Sequence, residues 1–376
     1  MVNKRTESGL LGRDINEESR SATPLELFYD LIFVVAITNL AAAFHHDYDN
    51  NHIGHGIVSF VMVFFAIWWA WNQYTWFASS FDNNSSRFRL ATLWQMVGAL
   101  VLAAGVEKAF NGEFTIVVIG YVIIRLSSIY LWYKVAKDNP KFKVTGMRYA
   151  IGILLCQIGW ITQNFFEFSY YIFAGLWLVE FLVPYYAESH TQTHFHSEHI
   201  EERLGLLTII VLGESILASA NSFKSLINHF SYDILFVSIG CLLTLFGIWW
   251  LYFNNPVEHY LRDKAVAFQW GYGHFIIFTS AAAIGALVSV NVDVLTEHGS
   301  ITIEVANFGF AVAVALYLFG LWFCQERLMG EGKLQSYLIL MVASGALLLG
   351  LLPHTIMTIG LLIVVTVIYR QYKPLT

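Results

Sequence analysis

Charge is scarce in this chain of 376 residues: Asp, Glu, Lys and Arg together make up 13% of it. That is about half the share of an ordinary soluble domain and excludes a surface wetted on all sides. Cysteine is rare too. Cys156, Cys241 and Cys324 sit inside apolar stretches at unrelated spacings, which excludes a disulfide framework and a thiolate metal site. There is no Gly-rich phosphate loop, no G-x-S-x-G elbow, no H-E-x-x-H and no basic aromatic surface, so nothing points to nucleotide chemistry or to nucleic acid as a partner. Alternation of apolar and polar residues is also missing. Runs such as IGILLCQIGWI and LFVSIGCLLTLFGIWW exclude a membrane barrel.

What is present is apolar length. The chain is 57% hydrophobic and 16% aromatic, with a mean hydropathy of +0.57. Stretches of about 20 apolar residues, enough to cross roughly 30 Å of hydrocarbon as helix, recur from Leu25 to Tyr369. They predict an all-α integral membrane protein of about twelve transmembrane helices, at 25–44, 53–77, 90–110, 114–133, 147–166, 169–187, 204–221, 232–253, 266–290, 302–324, 334–351 and 354–371.

Loops that retain Lys and Arg stay on the cytoplasmic side. The N-terminal segment carries Lys4, Arg5, Arg13 and Arg20. Alternate loops add Arg87 and Arg89; Lys134, Lys137, Lys141, Lys143 and Arg148; Arg203; Arg262 and Lys264; Arg327 and Lys333; then Arg370 and Lys373. The intervening loops hold only Lys108 and Lys224, and Arg125 lies inside a span. This places both termini in the cytoplasm and the protein in the cell inner membrane. The first 20 or so residues are polar and mixed in charge, so they read as a short tail and not as a cleavable signal peptide.

Two segments match in character. ELFYDLIFVVAITNLAAA from Glu26 and ERLGLLTIIVLGESILAS from Glu202 each open on a carboxylate and carry a polar pair at Thr38-Asn39 and Glu214-Ser215. Each is followed by a span ending in aromatic residues, WWAWNQYTWF from Trp68 and IWWLYFNNP from Ile248. The expected organisation is a cytoplasmic tail (1–24), a first six-helix half (25–187), a cytoplasmic linker (188–203) and a second six-helix half (204–376), the halves being repeats in the same orientation.

An ionisable group within a span costs several kcal/mol unless it is paired, hydrated or turned to the protein interior, which makes such residues functional candidates. Glu26 and Asp30, four apart, share a helix face with Pro24 in its first turn, so a cation, a proton or an arginine is expected between them. Arg125 or Arg203 is the candidate arginine. Arg203 and Glu214 also share a face, about 16 Å apart along the axis. Gly213 and Ser215 beside Glu214 are small enough to admit a neighbouring backbone. The candidate solute or ion pathway is therefore Glu26, Asp30, Glu202, Arg203, Glu214 and Ser215, supported by Asn72, Gln73, Gln95, Arg125, Glu180, His199 and His274. The amides among these equally suit hydrogen bonds between helices.

Histidines cluster twice, as His45, His46, His52 and His55 with Asp47 and Asp49, and as His190, His194, His196 and His199 in the central linker. Neither cluster has a defined ligand motif, so no metal and no cofactor is expected.

PLELFYDLIFV from Pro24, followed by Ala36-Ile37-Thr38, resembles the opening signature of the bacterial low-temperature-requirement A proteins. WNQYTWFASSFDNNSSRFRLATLWQM from Trp71, HIEERLGL from His199, IVLGES from Ile210 and WWLYF from Trp249 resemble that family's remaining blocks in the same order. The resemblance implies a polytopic protein of the bacterial cytoplasmic membrane, without implying a reaction. Glu26-x-Phe28-x-Asp30 with Phe33 is also similar to the first-helix motif of the lysosomal-type potassium channels. Here Pro24 and Tyr29 replace that motif's Arg and Ser, which argues against potassium conduction.

Three functions follow as expectations. The first is a secondary transporter or channel for a small solute or ion; the others are an embedded enzyme acting on a lipid or isoprenoid carrier, and a non-catalytic sensor or scaffold. Expected partners are membrane lipids and the solute, with a second copy of the chain also open.

Overall fold

The computed structural model describes residues 9–14, 17, 20–228, 230–255, 257–329 and 334–373. Lys4, Arg5 and Lys333, which enter the charge count, lie outside the described residues. The helices are α1 (Pro24–Asp49), α2 (Ile53–Phe81), α3 (Ser86–Phe110), α4 (Thr115–Asp138), α5 (Lys143–Gln163), α6 (Tyr170–Glu188), α7 (Ser197–Asn228), α8 (Tyr232–Phe253), α9 (Lys264–Leu295), α10 (Ile303–Leu321), α11 (Arg327–Met329), α12 (Leu338–Leu349) and α13 (Thr355–Tyr372). A five-residue π turn, Trp322–Glu326, joins α10 to the short α11. No strand occurs among the described residues.

Local chemistry sets the helix ends. Thr23 and Glu26 form a capping box around Pro24. The Glu26 carboxylate accepts the Thr23 N–H at 2.8 Å, and the Thr23 hydroxyl accepts the Glu26 N–H at 3.3 Å. Ser85 caps α3 by accepting the Phe88 N–H, and Asp263 caps α9 by accepting those of Ala265 and Val266.

Among the described residues, eleven helices are long and apolar enough to cross a membrane. The segment expected at 334–351 falls short. It is a 3-10 turn, Leu334–Tyr337, followed by twelve residues of α12, rising about 26 Å in all at the two helices' rises per residue. The expectation of an even number of spans rests on this segment.

The chain divides into two compact units, the first comprising Met1–Asn39 with Phe65–Arg203 and the second Leu40–Phe64 with Leu204–Thr376. Residues 40–64, read from sequence as part of the first half, thus group with the second. In the first unit α3 packs on α4, α4 on α5 and α5 on α6. In the second, α9 packs on α10, α10 on α12 and α8 on α13. Glycines permit the tightest of these approaches. A Cβ on Gly120 would stand 2.3 Å from the Leu102 backbone nitrogen, and one on Gly240 would stand 2.5 Å from the Met357 backbone. Side chains there would force the helices apart.

Polarity is inverted relative to a soluble protein. Tyr171, Phe165, Leu155, Leu178 and Leu348 are exposed, while Glu26, Asp30, Arg125, Glu180 and Arg203 are at most 1% exposed. Lipid-facing apolar surface around a polar interior is what a bilayer solvent selects. The protein is a multi-pass membrane protein.

Gly120→Val is expected to destabilise the α3–α4 pairing by about 1–3 kcal/mol or more through overpacking, read as a lowered melting temperature in maltoside micelles. Gly175 in α6 has nothing within 4 Å of its Cβ position, so Gly175→Ala serves as the matched control and should melt no lower than wild type. Equal melting of Gly120→Val and wild type would contradict the packing.

Candidate functional site

The polar centre of the first unit is built by the first turns of two helices. The capping box fixes the start of α1, and with it the face on which Glu26 and Asp30 lie one turn apart. On α7, His199 and Arg203 have the same spacing, and Ile200, Leu204, Leu207 and Val211 supply a continuous buried stripe beside them. The two ladders meet rung for rung. His199 Nε2 lies 2.9 Å from Glu26 Oε1, and Arg203 Nη2 donates to Asp30 Oδ1 at 2.7 Å. Pairing in the same order along both helices means that these turns run parallel, with rungs about 6 Å apart.

Neighbouring groups complete the cluster. Trp71 Nε1 donates to Asp30 Oδ1 at 2.7 Å, and the Arg203 guanidinium lies 5.6 Å from the centre of the Trp71 ring. Arg20 reaches Glu26 Oε1 at 3.5 Å and also donates to the Ser79 carbonyl. Burial lowers the Arg20 guanidinium from its ordinary pKa, and the Glu26 carboxylate opposes that shift. Arg20, counted from sequence as a solvated tail charge, is thus an interior residue at 4% exposure. Glu202 accepts the Ala22 N–H at 2.8 Å, tying the N-terminal segment to α7.

A second buried cluster surrounds Glu180. Its two carboxylate oxygens accept hydrogen bonds from five side chains: Arg125 at 2.8 Å, Trp69 and Tyr121 at 3.0 Å, Gln157 at 3.2 Å and Trp160 at 3.3 Å. Between the clusters, Tyr29 stacks on Tyr74 and donates to Gln95 Oε1 at 3.0 Å. Gln95, half-buried Gln73 and Arg125 line a cavity of about 10 Å³, the size of one water. Asn72 accepts from Trp76 Nε1 at 3.2 Å.

The remaining candidates lie in the second unit. Glu214 is half-buried and Ser215 fully buried. Gly213 has nothing within 4 Å of its Cβ position, contrary to expectation. The close approach is made by Gly285 of α9, whose Cβ would stand 2.8 Å from the Glu214 backbone. His274 is a satisfied interior histidine, with Nδ1 at 2.7 Å from the Trp270 carbonyl and Nε2 at 2.9 Å from the Tyr252 hydroxyl. Nδ1 therefore carries the proton, and Nε2 accepts from Tyr252.

Two expectations need correcting. The single group expected between Glu26 and Asp30 is replaced by separate partners: Arg203 on Asp30, with His199 and Arg20 on Glu26. Arg125 serves neither carboxylate; it belongs to Glu180. Also, His199 is not a linker histidine. α7 begins at Ser197, seven residues before the expected start of the span, because its apolar stripe already begins at Ile200. A further buried ion pair, Glu326 with Arg370, joins the π turn to α13 and went unread in the sequence, where both residues look like interfacial charges. No group of three or more His, Cys, Asp or Glu side chains converges as a metal site among the described residues.

The model of the bacterial low temperature requirement A protein family matches residues 21–369. The chain belongs to this family. An uncharacterized protein of Rhizobium meliloti (strain 1021), RA0937, is 27% identical over 299 residues, covering 72% of this chain and 70% of that protein. No solved structure matches. The segments PLELFYD and HIEERLGL in this family member are the two sides of the buried ladder, each giving one residue to each rung.

Removing one partner of a buried pair strands the other charge at a cost of about 3–5 kcal/mol. Asp30→Asn and Arg203→Gln are each expected to lower the melting temperature strongly, while the double variant should melt above the level that additivity predicts. The measure is a double-mutant cycle on thermal unfolding in micelles, with a coupling of about 1–3 kcal/mol. Strict additivity would contradict the pairing.

Proposed function

We propose that this protein is a secondary transporter for a small solute or ion, with the Glu26–His199 and Asp30–Arg203 rungs as its switching element. One contrast supports this reading. Both Glu180 oxygens accept hydrogen bonds, whereas Asp30 Oδ2 accepts none; the two arginines do not differ, since Arg125, like Arg203, leaves Nε and Nη1 without a partner among the described residues. Asp30 Oδ2, Arg203 Nε and Nη1, and His199 Nδ1 are buried without a hydrogen-bond partner among the described residues. Arg20 Nε, Asn72 Nδ2 and the Tyr74 hydroxyl are in the same condition. Buried polar groups are almost always satisfied, so these open valences suit water or a solute that enters and leaves.

The working arrangement is a protein of the bacterial inner membrane with both termini cytoplasmic and two six-helix halves in parallel orientation. Neighbour relations agree with that duplication, since α9–α10 and α10–α12 repeat α3–α4 and α4–α5. Glu214 and Ser215, at the position of the second half that matches Thr38-Asn39, are a polar point of the second unit taken by itself. Glu180, Arg125, Trp69 and Gln157 hold the surrounding helices in register.

The test is solute counterflow into proteoliposomes preloaded with a cytosolic small-molecule extract and offered the same extract in isotope-labelled form, read by mass spectrometry. Wild-type vesicles should exchange at least one solute above protein-free vesicles, and Asp30→Asn should reduce that exchange at least tenfold in protein that still elutes as folded. Absence of wild-type exchange, or an unchanged rate in Asp30→Asn, would overturn the proposal.

A further inference from the structure

At the end of the second unit's helices remote from Arg262, Arg327 and Arg370 is a cavity of about 350 Å³, within the range of small-molecule sites. The first turns of α8, α10 and α13 and the α12–α13 turn line it, and it opens to the outside past Leu351 and His354. Its polar groups are few. Asp233 lies in the first turn of α8 and Glu304 in that of α10, where the helix dipole favours negative charge. His354 stands 3.5 Å from Asp233, and no Lys or Arg lines the cavity.

Two carboxylates alone would be a solvated acidic rim. Asn307 adds an independent requirement. It lies one turn beyond Glu304 on the same face of α10, lines the cavity and is 93% buried, yet its amide has no hydrogen-bond partner among the described residues. That amide is open to the cavity, where it can meet a polar ligand atom. The rest of the wall is apolar: Phe236, Leu295, Leu351 and Met357 among others. His354 adopts a left-handed conformation (φ 56°), an arrangement that costs energy for a non-glycine residue and gathers at ligand sites.

We infer that this cavity binds an organic ammonium carrying an apolar body, the cation held by Asp233 and Glu304, a polar atom by Asn307, and the body by the Phe236, Leu351 and Met357 wall. Such a ligand could be a free amine or the headgroup region of an amino-phospholipid, since the two share this chemistry. The site is separate from the Glu26–Asp30 cluster and stands whether or not that cluster transports.

The full chain in maltoside micelles, free of ammonium lipids, is titrated calorimetrically with phenethylammonium chloride and, as a charge control, with sodium 3-phenylpropionate. Phenethylammonium is expected to bind saturably and phenylpropionate at least tenfold more weakly. Asp233→Asn with Glu304→Gln should weaken phenethylammonium at least tenfold, and Asn307→Leu at least threefold, with melting temperatures within about 2 °C of wild type. Displacement by dihexanoyl phosphatidylethanolamine but not by dihexanoyl phosphatidylglycerol would support the inference with a lipid as the source; resistance to both would support it with a free amine. No saturable ammonium binding, equal binding of the carboxylate, or unchanged affinity in the charge-removed variant would overturn it.

Discussion

The interior depends on keeping ionised groups paired where water is scarce. Charge in hydrocarbon is costly, and the chain meets that constraint with matched spacings: two acids one turn apart on α1 and two bases one turn apart on α7. Because both spacings equal a helical turn, each rung fixes the other. Rotation of either helix by one residue would carry both acids away from both bases at once. The capping box at Thr23 and Glu26 then does two jobs with one carboxylate, since Glu26 Oε2 starts the helix while Oε1 faces His199 and Arg20.

The two buried carboxylate clusters of the first unit illustrate different uses of similar residues. Glu180 gathers indole, phenol, amide and guanidinium donors from α2, α4 and α5, leaving neither oxygen unsatisfied. Asp30 spends one oxygen on Trp71 and Arg203 and leaves the other open. A saturated site resists exchange, because any new ligand must first displace an existing bond. An unsaturated one invites it.

Much of the fold was legible because lipid imposes length and polarity directly on sequence. Ten of the expected spans coincide with long helices to within a few residues at one or both ends, since apolar run length alone decides where such a helix can sit. α7 was placed too late because its first turns carry His199 and Arg203, charges that hydropathy counts as loop although burial and pairing hold them in a helix. The short α12 was overread for the opposite reason, as its apolar composition says nothing about where helical geometry stops. Among site residues, Glu26, Asp30 and Arg203 stood out as charges in or beside apolar runs. Which base met which acid was not readable, because spacing along one helix is silent about its neighbour. Glu326 and Arg370 were missed because ends of spans ordinarily carry solvated charges, and the unmatched Asn307 amide has no signature outside three dimensions.

The π turn between α10 and α11 has a consequence for how polar groups can be stacked. Cys324, Gln325 and Glu326 are consecutive, and none is more than 2% exposed. A regular α-helix spreads three consecutive residues over about 200° of its circumference, which would turn one of them toward lipid. The widened turn admits an extra residue, so all three face inward: Gln325 on the Tyr252 carbonyl, Glu326 on Arg370. Shortening this segment by one residue would therefore do more than trim a loop. It would swing a carboxylate or an amide out into the acyl chains.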